Sequence, residues 1–110
     1  MFDYIYENEI DDYRYYLVPR ALFENAEFSE LSALAKVLYG IMLSKTADAF
    51  ENGCCDDEDK VFITYFCEEI ASDLGCDLET SIGLVKELDS FGLIDYVASP
   101  YRIYVRHFNR

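Results

Sequence analysis

Apolar residues recur at helical spacing along the middle of the chain. After Ser32, which is suited to capping a helix N-terminus, they return every three or four residues until about Phe50, so this segment is predicted to form the longest helix. Upstream, the β-forming run 13–18 is predicted to be a short strand, and Pro19 favours the first turn of a short helix through residues 21–23. The first half of the chain is therefore predicted to contain a strand and two helices.

Two shorter helices are predicted in the second half. The first follows a short strand at 61–63, is capped by Thr64 and ends at Gly75. The second is capped by Asp77 and stops at Gly92. The apolar face expected on this second helix consists of Leu78, Ile82, Val85, Leu88 and Phe91.

The last two predicted strands, 93–97 and 101–105, are joined by the short turn 98–100 and so form a hairpin. A helix, a tight turn, a second helix and a hairpin, in this order, are typical of a winged helix-turn-helix, whose second helix is the recognition helix. The sequence therefore predicts an α+β fold with three to four helices, a small antiparallel sheet and a C-terminal hairpin wing. We assign this domain to residues 13–110 and an acidic and aromatic N-terminal arm to residues 1–12.

The chain carries a large excess of acidic residues. With 22 Asp and Glu against 9 Lys and Arg, its formal net charge is −13 over 110 residues. Such a charge opposes binding to nucleic acids and anionic membranes, because phosphate binding requires clustered cations. Aromatic residues nevertheless make up 16% of the chain, which favours a folded globule over a disordered acidic tail.

Several kinds of chemistry lack a sequence signal. The four cysteines and the single histidine do not have metal-ligand spacing, so we predict no metal site. We also predict no cofactor and no enzyme activity, because the chain has no nucleophile–base pattern and no Gly-rich phosphate loop. Without a membrane-spanning run or a signal peptide, the expected location is cytoplasmic.

Six segments carry a family resemblance: residues 16–23, 31–39, 57–63, 84–88, 91–94 and 102–105. In these segments the chain resembles the N-terminal domain of plasmid replication initiators of Gram-positive bacteria, the replication initiator A N-terminal family. The resemblance covers about residues 13–105 and implies a winged helix that recognises the plasmid origin. In that family further sequence follows the domain, whereas we expect a chain ending at Arg110 to stand alone.

Two departures from the family concern the expected DNA-binding elements. The family's recognition helix opens with a small polar cap and several lysines, whereas residues 77–81 read Asp-Leu-Glu-Thr-Ser. Because the first residues of a recognition helix reach bases and phosphates, Asp77 and Glu79 would face phosphate with the wrong sign. The turn at 98–100 also lacks the cations of the family's Gly-rich, basic wing.

The charge favours a first hypothesis, in which the protein acts through protein–protein contacts. It would be a phage- or plasmid-encoded inhibitor, a DNA mimic similar to anti-CRISPR proteins, that occupies the nucleic-acid-binding surface of a basic partner such as a Cas effector. The acidic residues predicted to bind that partner are Asp56, Asp57, Glu58, Asp59, Asp77 and Glu79.

The alternative hypothesis is the DNA-binding domain of a plasmid replication initiator or a transcription regulator. Its predicted DNA contacts are Arg14, Arg20, Lys86, Arg102 and Arg106. A homodimer would double a weak half-site. A dimeric structural module, joined through the N-terminal tyrosines, is a third interpretation.

Overall fold

The computed structural model describes residues 4, 6, 7 and 15–107. Within these residues the chain forms four α-helices and a two-stranded antiparallel sheet, in the order α1 (Ala21–Glu24), a 3-10 turn (Ala26–Phe28), α2 (Ala33–Glu51), α3 (Cys67–Leu74), α4 (Leu78–Ser90), β1 (Ile94–Ala98) and β2 (Tyr101–Val105). This is the α+β order predicted for a winged helix-turn-helix. In the described part of the chain, no helix is both long enough and apolar enough to cross a membrane.

The long helix α2 begins where the sequence predicts. The Ser32 hydroxyl accepts a hydrogen bond from the backbone N–H of Ala35, at 3.2 Å, and so caps the helix. The Glu87 carboxylate of α4 in turn accepts hydrogen bonds from the backbone N–H and the hydroxyl of Ser32, at 2.6 and 2.9 Å. These bonds join the start of α2 to the last turn of α4.

The strand predicted at 13–18 is not formed in its described part. Residues 15–18 have no β partner and instead cross α2 at Gly40, where a Cβ atom would lie 2.8 Å from Val18 Cγ2 and 3.0 Å from the Leu17 carbonyl oxygen. The segment therefore packs on α2 and pairs with no strand of the described residues. Residues 13 and 14 and most of the predicted arm at 1–12 lie outside the described residues.

The helix-turn-helix consists of α3 and α4. Gly75 ends α3 with a φ of 69°, a left-handed conformation that glycine adopts without steric cost, and Asp77 caps α4 as predicted. The prediction of Thr64 as the cap of α3 is wrong, because the helix begins at Cys67 after the N-cap Phe66. The Glu69 carboxylate accepts a hydrogen bond from the backbone N–H of Phe66, at 2.9 Å, and satisfies a donor there.

The buried face of α4 differs from the predicted one. Val85 and Leu88 are buried as expected, but Leu78 and Ile82 remain 44% and 39% exposed. Ser81 occupies the buried position instead, with 0% exposure, and its hydroxyl oxygen lies 2.7 Å from the Leu78 carbonyl oxygen and 3.0 Å from that of Cys67, either of which can accept its proton. A small hydroxyl side chain allows α3 to approach closely here, and the helix is rotated accordingly.

The wing follows α4 directly. Strands β1 and β2 pair from Ile94 opposite Val105 to Ala98 opposite Tyr101, so Ser99 and Pro100 form a two-residue turn. The predicted strand at 61–63 is reduced to two isolated bridges, Cys55 with Val61 and Ile63 with Ile103, because the segment changes partner within three residues. The core between the helices and the wing includes Leu22, Leu38, Tyr39, Ile70, Leu84, Leu88, Leu93, Ile94 and Ile103.

Candidate nucleic-acid interface

The exposed face of α4 combines apolar, acidic and basic side chains. It carries Leu78, Glu79, Thr80, Ile82, Gly83 and Lys86. At its start, the Asp77 carboxylate accepts a hydrogen bond from the backbone N–H of Thr80 at 2.7 Å. Hydrogen bonding with the Thr80 side chain, and secondly this backbone bond, hold the pKa of Asp77 below its usual range. Asp77 is therefore charged at neutral pH, and its primary contact is with the helix that it caps.

Lys86 is distinct among the cations of the described residues. Every other described lysine or arginine has an acidic or aromatic partner: Arg20 with Glu24, Lys60 with Glu58, Arg106 with Asp95, Arg102 over Phe62, Lys36 over Phe23 and Lys45 over Tyr65. Lys86 is exposed and, within the described residues, has no such partner. Its ammonium group is free to meet an anion outside the chain.

The structure separates the predicted DNA contacts. Only Lys86 lies on α4, while Arg20 precedes α1, Arg102 lies in β2 and Arg106 follows β2. The Arg102 guanidinium is half-buried and lies 4.2 Å from the centroid of the Phe62 ring. Arg14 lies outside the described residues.

The acidic loop at 56–59 has one structural and three exposed carboxylates. Asp56 accepts hydrogen bonds from the backbone N–H groups of Glu58 and Lys60, both at 2.9 Å, and from the Tyr104 hydroxyl at 3.0 Å. The bond from the Lys60 N–H contributes most to lowering the pKa of Asp56. Asp56 therefore fixes the loop to β2, while Asp57, Glu58 and Asp59 face solvent, with Glu58 paired to Lys60 at 3.2 Å.

Sequence reasoning missed an aromatic cluster between the helix-turn-helix and the wing. Phe66 and Tyr101 stack with their ring centroids 5.1 Å apart, and the Tyr101 hydroxyl donates a hydrogen bond to the Tyr65 carbonyl at 3.2 Å. Burial raises the pKa of Tyr101. The stack fixes the wing against the start of α3 and hence against the recognition helix. Hydrophobic periodicity could not reveal this stack, because it predicts a longer helix, capped by Thr64, that contains Phe66.

Comparisons with known proteins agree with this architecture. The family model of the replication initiator protein A (RepA) N-terminus matches residues 14–110. Among the described residues, no group of three or more His, Cys, Asp and Glu side chains could hold a metal ion. The comparison with curated proteins gives no significant match.

Three solved structures share this fold. A structure described as an MDR initiator is 22% identical with a TM-score of 0.80, covering 98% of this chain and 88% of the other. A Rep–DNA complex is 21% identical with a TM-score of 0.79, covering 98% and 86%. The N-terminal domain of a DNA-binding protein is 20% identical with a TM-score of 0.80, covering 100% and 87%.

At this level of identity the structural likeness establishes the fold, and it confirms the predicted winged helix. The family match confirms the resemblance drawn from the sequence. The family match also favours the alternative hypothesis over the first, because the matched family is that of a replication initiator.

Proposed function

Since the chain belongs to the family of the replication initiator protein A N-terminus, we propose that it is a DNA-binding domain of the replication-initiator type. In this proposal α4 enters the major groove of duplex DNA and the β1–β2 hairpin lies beside it as the wing. The observation that carries the proposal is the family match over residues 14–110, which includes both halves of the helix-turn-helix and the wing. The domain would act by binding, without catalysis.

The exposed face of α4 supports the proposal. In a helix-turn-helix the N-terminal residues of the second helix contact base edges, and those residues of α4 point to solvent. Lys86, two turns from the start of α4, is the described cation without an acidic or aromatic partner and is suited to a phosphate contact. Phosphate contacts fix the register of a protein on DNA, so one well-placed lysine has a positioning role.

The net charge of −13 sets the expected mode of binding. Non-specific affinity for DNA comes almost entirely from cations that release counterions. Among the described cations, Arg20, Lys60 and Arg106 are already paired with acids of the same chain. We therefore expect weak non-specific binding and an affinity that depends mainly on contacts with bases.

A second candidate function is the binding of a basic protein surface. The observation that favours it is the group of exposed carboxylates in the loop, Asp57, Glu58 and Asp59, together with Glu79 on α4. Under this candidate the chain would occupy the groove of a nucleic-acid-binding protein, and α4 would contact that protein through its acids.

The proposal is tested by selecting bound duplexes from a randomised DNA library with the full chain, followed by mobility shifts at low salt. The duplexes would be about 20 base pairs long, roughly two helical turns. Gly83→Glu places a carboxylate in the middle of the exposed face of α4, where no atom lies within 4 Å of a new Cβ. We expect this variant to weaken binding to the selected duplex about tenfold or more, because like charges meet at the contact.

The matched control is Ala47→Glu, which adds the same charge at an exposed position on α2. Its affinity should stay close to that of the wild type. If no duplex is enriched and none is shifted at low salt, DNA binding is refuted and the second candidate is favoured. If both variants bind equally well, α4 is not the helix that meets DNA.

A further inference from the structure

Two apolar side chains are exposed where the recognition helix begins. Leu78 is the first residue of α4 and is 44% exposed, and Ile82, one turn later on the same face, is 39% exposed. Their exposure follows from the rotation of α4, which turns Ser81 and Leu84 into the core in their place. The Asp77 cap fixes the backbone where α4 begins, so both residues lie at set positions on the helix.

The rest of α4 offers few of the side chains that usually read bases. The helix contains no Arg, Asn or Gln, so it cannot form the bidentate contacts that Arg makes with guanine or that Asn and Gln make with adenine. Glu79 is suited to accept from the amino group of cytosine, and Lys86 is the one cation in this helix. The start of α4 is therefore better suited to apolar contacts with the bases than to hydrogen bonds.

Thymine is the base that an apolar side chain recognises, because its C5-methyl group projects into the major groove. Resting on the proposed function, we infer that Leu78 and Ile82 read thymine by direct contact with such methyl groups. The binding site then contains thymine where these two side chains meet the groove. Burying methyl groups against them does not depend on cations, which suits a chain of this charge.

The test uses a duplex selected by the full chain from a randomised library, synthesised once with thymidine and once with deoxyuridine at every thymidine position. Deoxyuridine keeps the base pairing and the phosphates and removes only the methyl group. We expect tighter binding to the thymidine duplex by about fourfold for each methyl group contacted, hence about fifteenfold for two.

The variants Leu78→Ala and Ile82→Ala assign the effect to its residues. Both positions are substantially exposed and alanine is a strong helix former, so both variants should fold. Each should weaken binding to the thymidine duplex and bring the thymidine-to-deoxyuridine affinity ratio closer to one. Val37→Ala, at an apolar position of α2 that is 40% exposed, is the matched control and should leave the ratio unchanged.

The outcomes separate this inference from the proposed function. A selected site without thymine, or an affinity ratio of one, would overturn the inference while DNA binding itself stands. A ratio above one that neither α4 variant reduces would place the methyl contact elsewhere and would also overturn it. If the chain binds no duplex at low salt, the proposed function fails, and the inference fails with it.

Discussion

The exposed Lys86 gives the proposed DNA interface a quantitative test. The perturbation is Lys86→Gln, which removes the charge from α4 and retains a side chain of similar helix propensity. Each phosphate that a cation neutralises contributes about 0.9 to the slope of log K against log salt on duplex DNA. If Lys86 contacts one phosphate, the slope of the variant should be shallower by about that amount. Between 50 and 200 mM salt, the wild type should then lose about 3.5-fold more affinity than the variant.

The assay is a mobility shift, or fluorescence anisotropy, on the selected duplex at several salt concentrations. Lys60→Gln is the control, because it removes the same charge from a lysine whose ammonium already lies 3.2 Å from the Glu58 carboxylate. Its slope should match that of the wild type. Parallel slopes for the wild type and Lys86→Gln would refute the assignment of Lys86 to a phosphate. An equal change in both variants would show that net charge matters and that position does not.

Three further predictions follow from single side chains. Glu79→Gln removes an acid from the exposed face of α4 and should raise the affinity for random-sequence DNA in a mobility shift, whereas a fall in binding to a basic protein partner would support the second candidate. Tyr65→Phe deletes the 2.6 Å hydrogen bond from the hydroxyl of Tyr65 to the exposed Asp73 carboxylate, and should lower the free energy of unfolding in urea by about 1–2 kcal/mol. Because the fold lowers the pKa of Asp56, this carboxylate stabilises the protein at neutral pH, and its contribution is lost as the pH falls below about 4. The unfolding free energies of the wild type and Asp56→Asn should therefore differ at pH 7, and this difference should shrink steadily as the pH is lowered below about 4; a difference that does not change with pH would contradict this.

The sequence was a good guide wherever local chemistry determines the structure. Ser32 and Asp77 cap their helices with their own side chains, and Gly75 ends α3 in a left-handed conformation, so each signal lies within a few residues of its effect. The hairpin turn is equally local, although Ala98, which was predicted to lie in the turn, pairs with Tyr101 in the sheet. The family resemblance added the recognition that these elements form a winged helix.

Predictions from the sequence were wrong where contacts between residues far apart in the chain determine the structure. The orientation of α4 brings Ser81 to the Cys67 carbonyl, fourteen residues earlier in the chain, and helical periodicity contains no information on such a contact. The strand at 61–63 has the right residues, but Ile63 bonds to Ile103 while Phe62 bonds to Cys54. For the candidate site, the sequence could nominate Lys86 but could not show that the other described cations are paired within the chain.

The strong negative charge of the chain is compatible with the proposed DNA binding when the affinity comes from contacts made at short range. Because the net charge is −13, the field that DNA meets at long range is negative and approach is not accelerated. Binding must then depend on contacts made at short range, and the start of α4 supplies Leu78 and Ile82 for that purpose. Burial of apolar surface is little affected by salt, whereas the repulsion between the acids and DNA is screened by it. Specific affinity, measured by mobility shift at several salt concentrations, should therefore fall less steeply with salt than for a basic initiator domain.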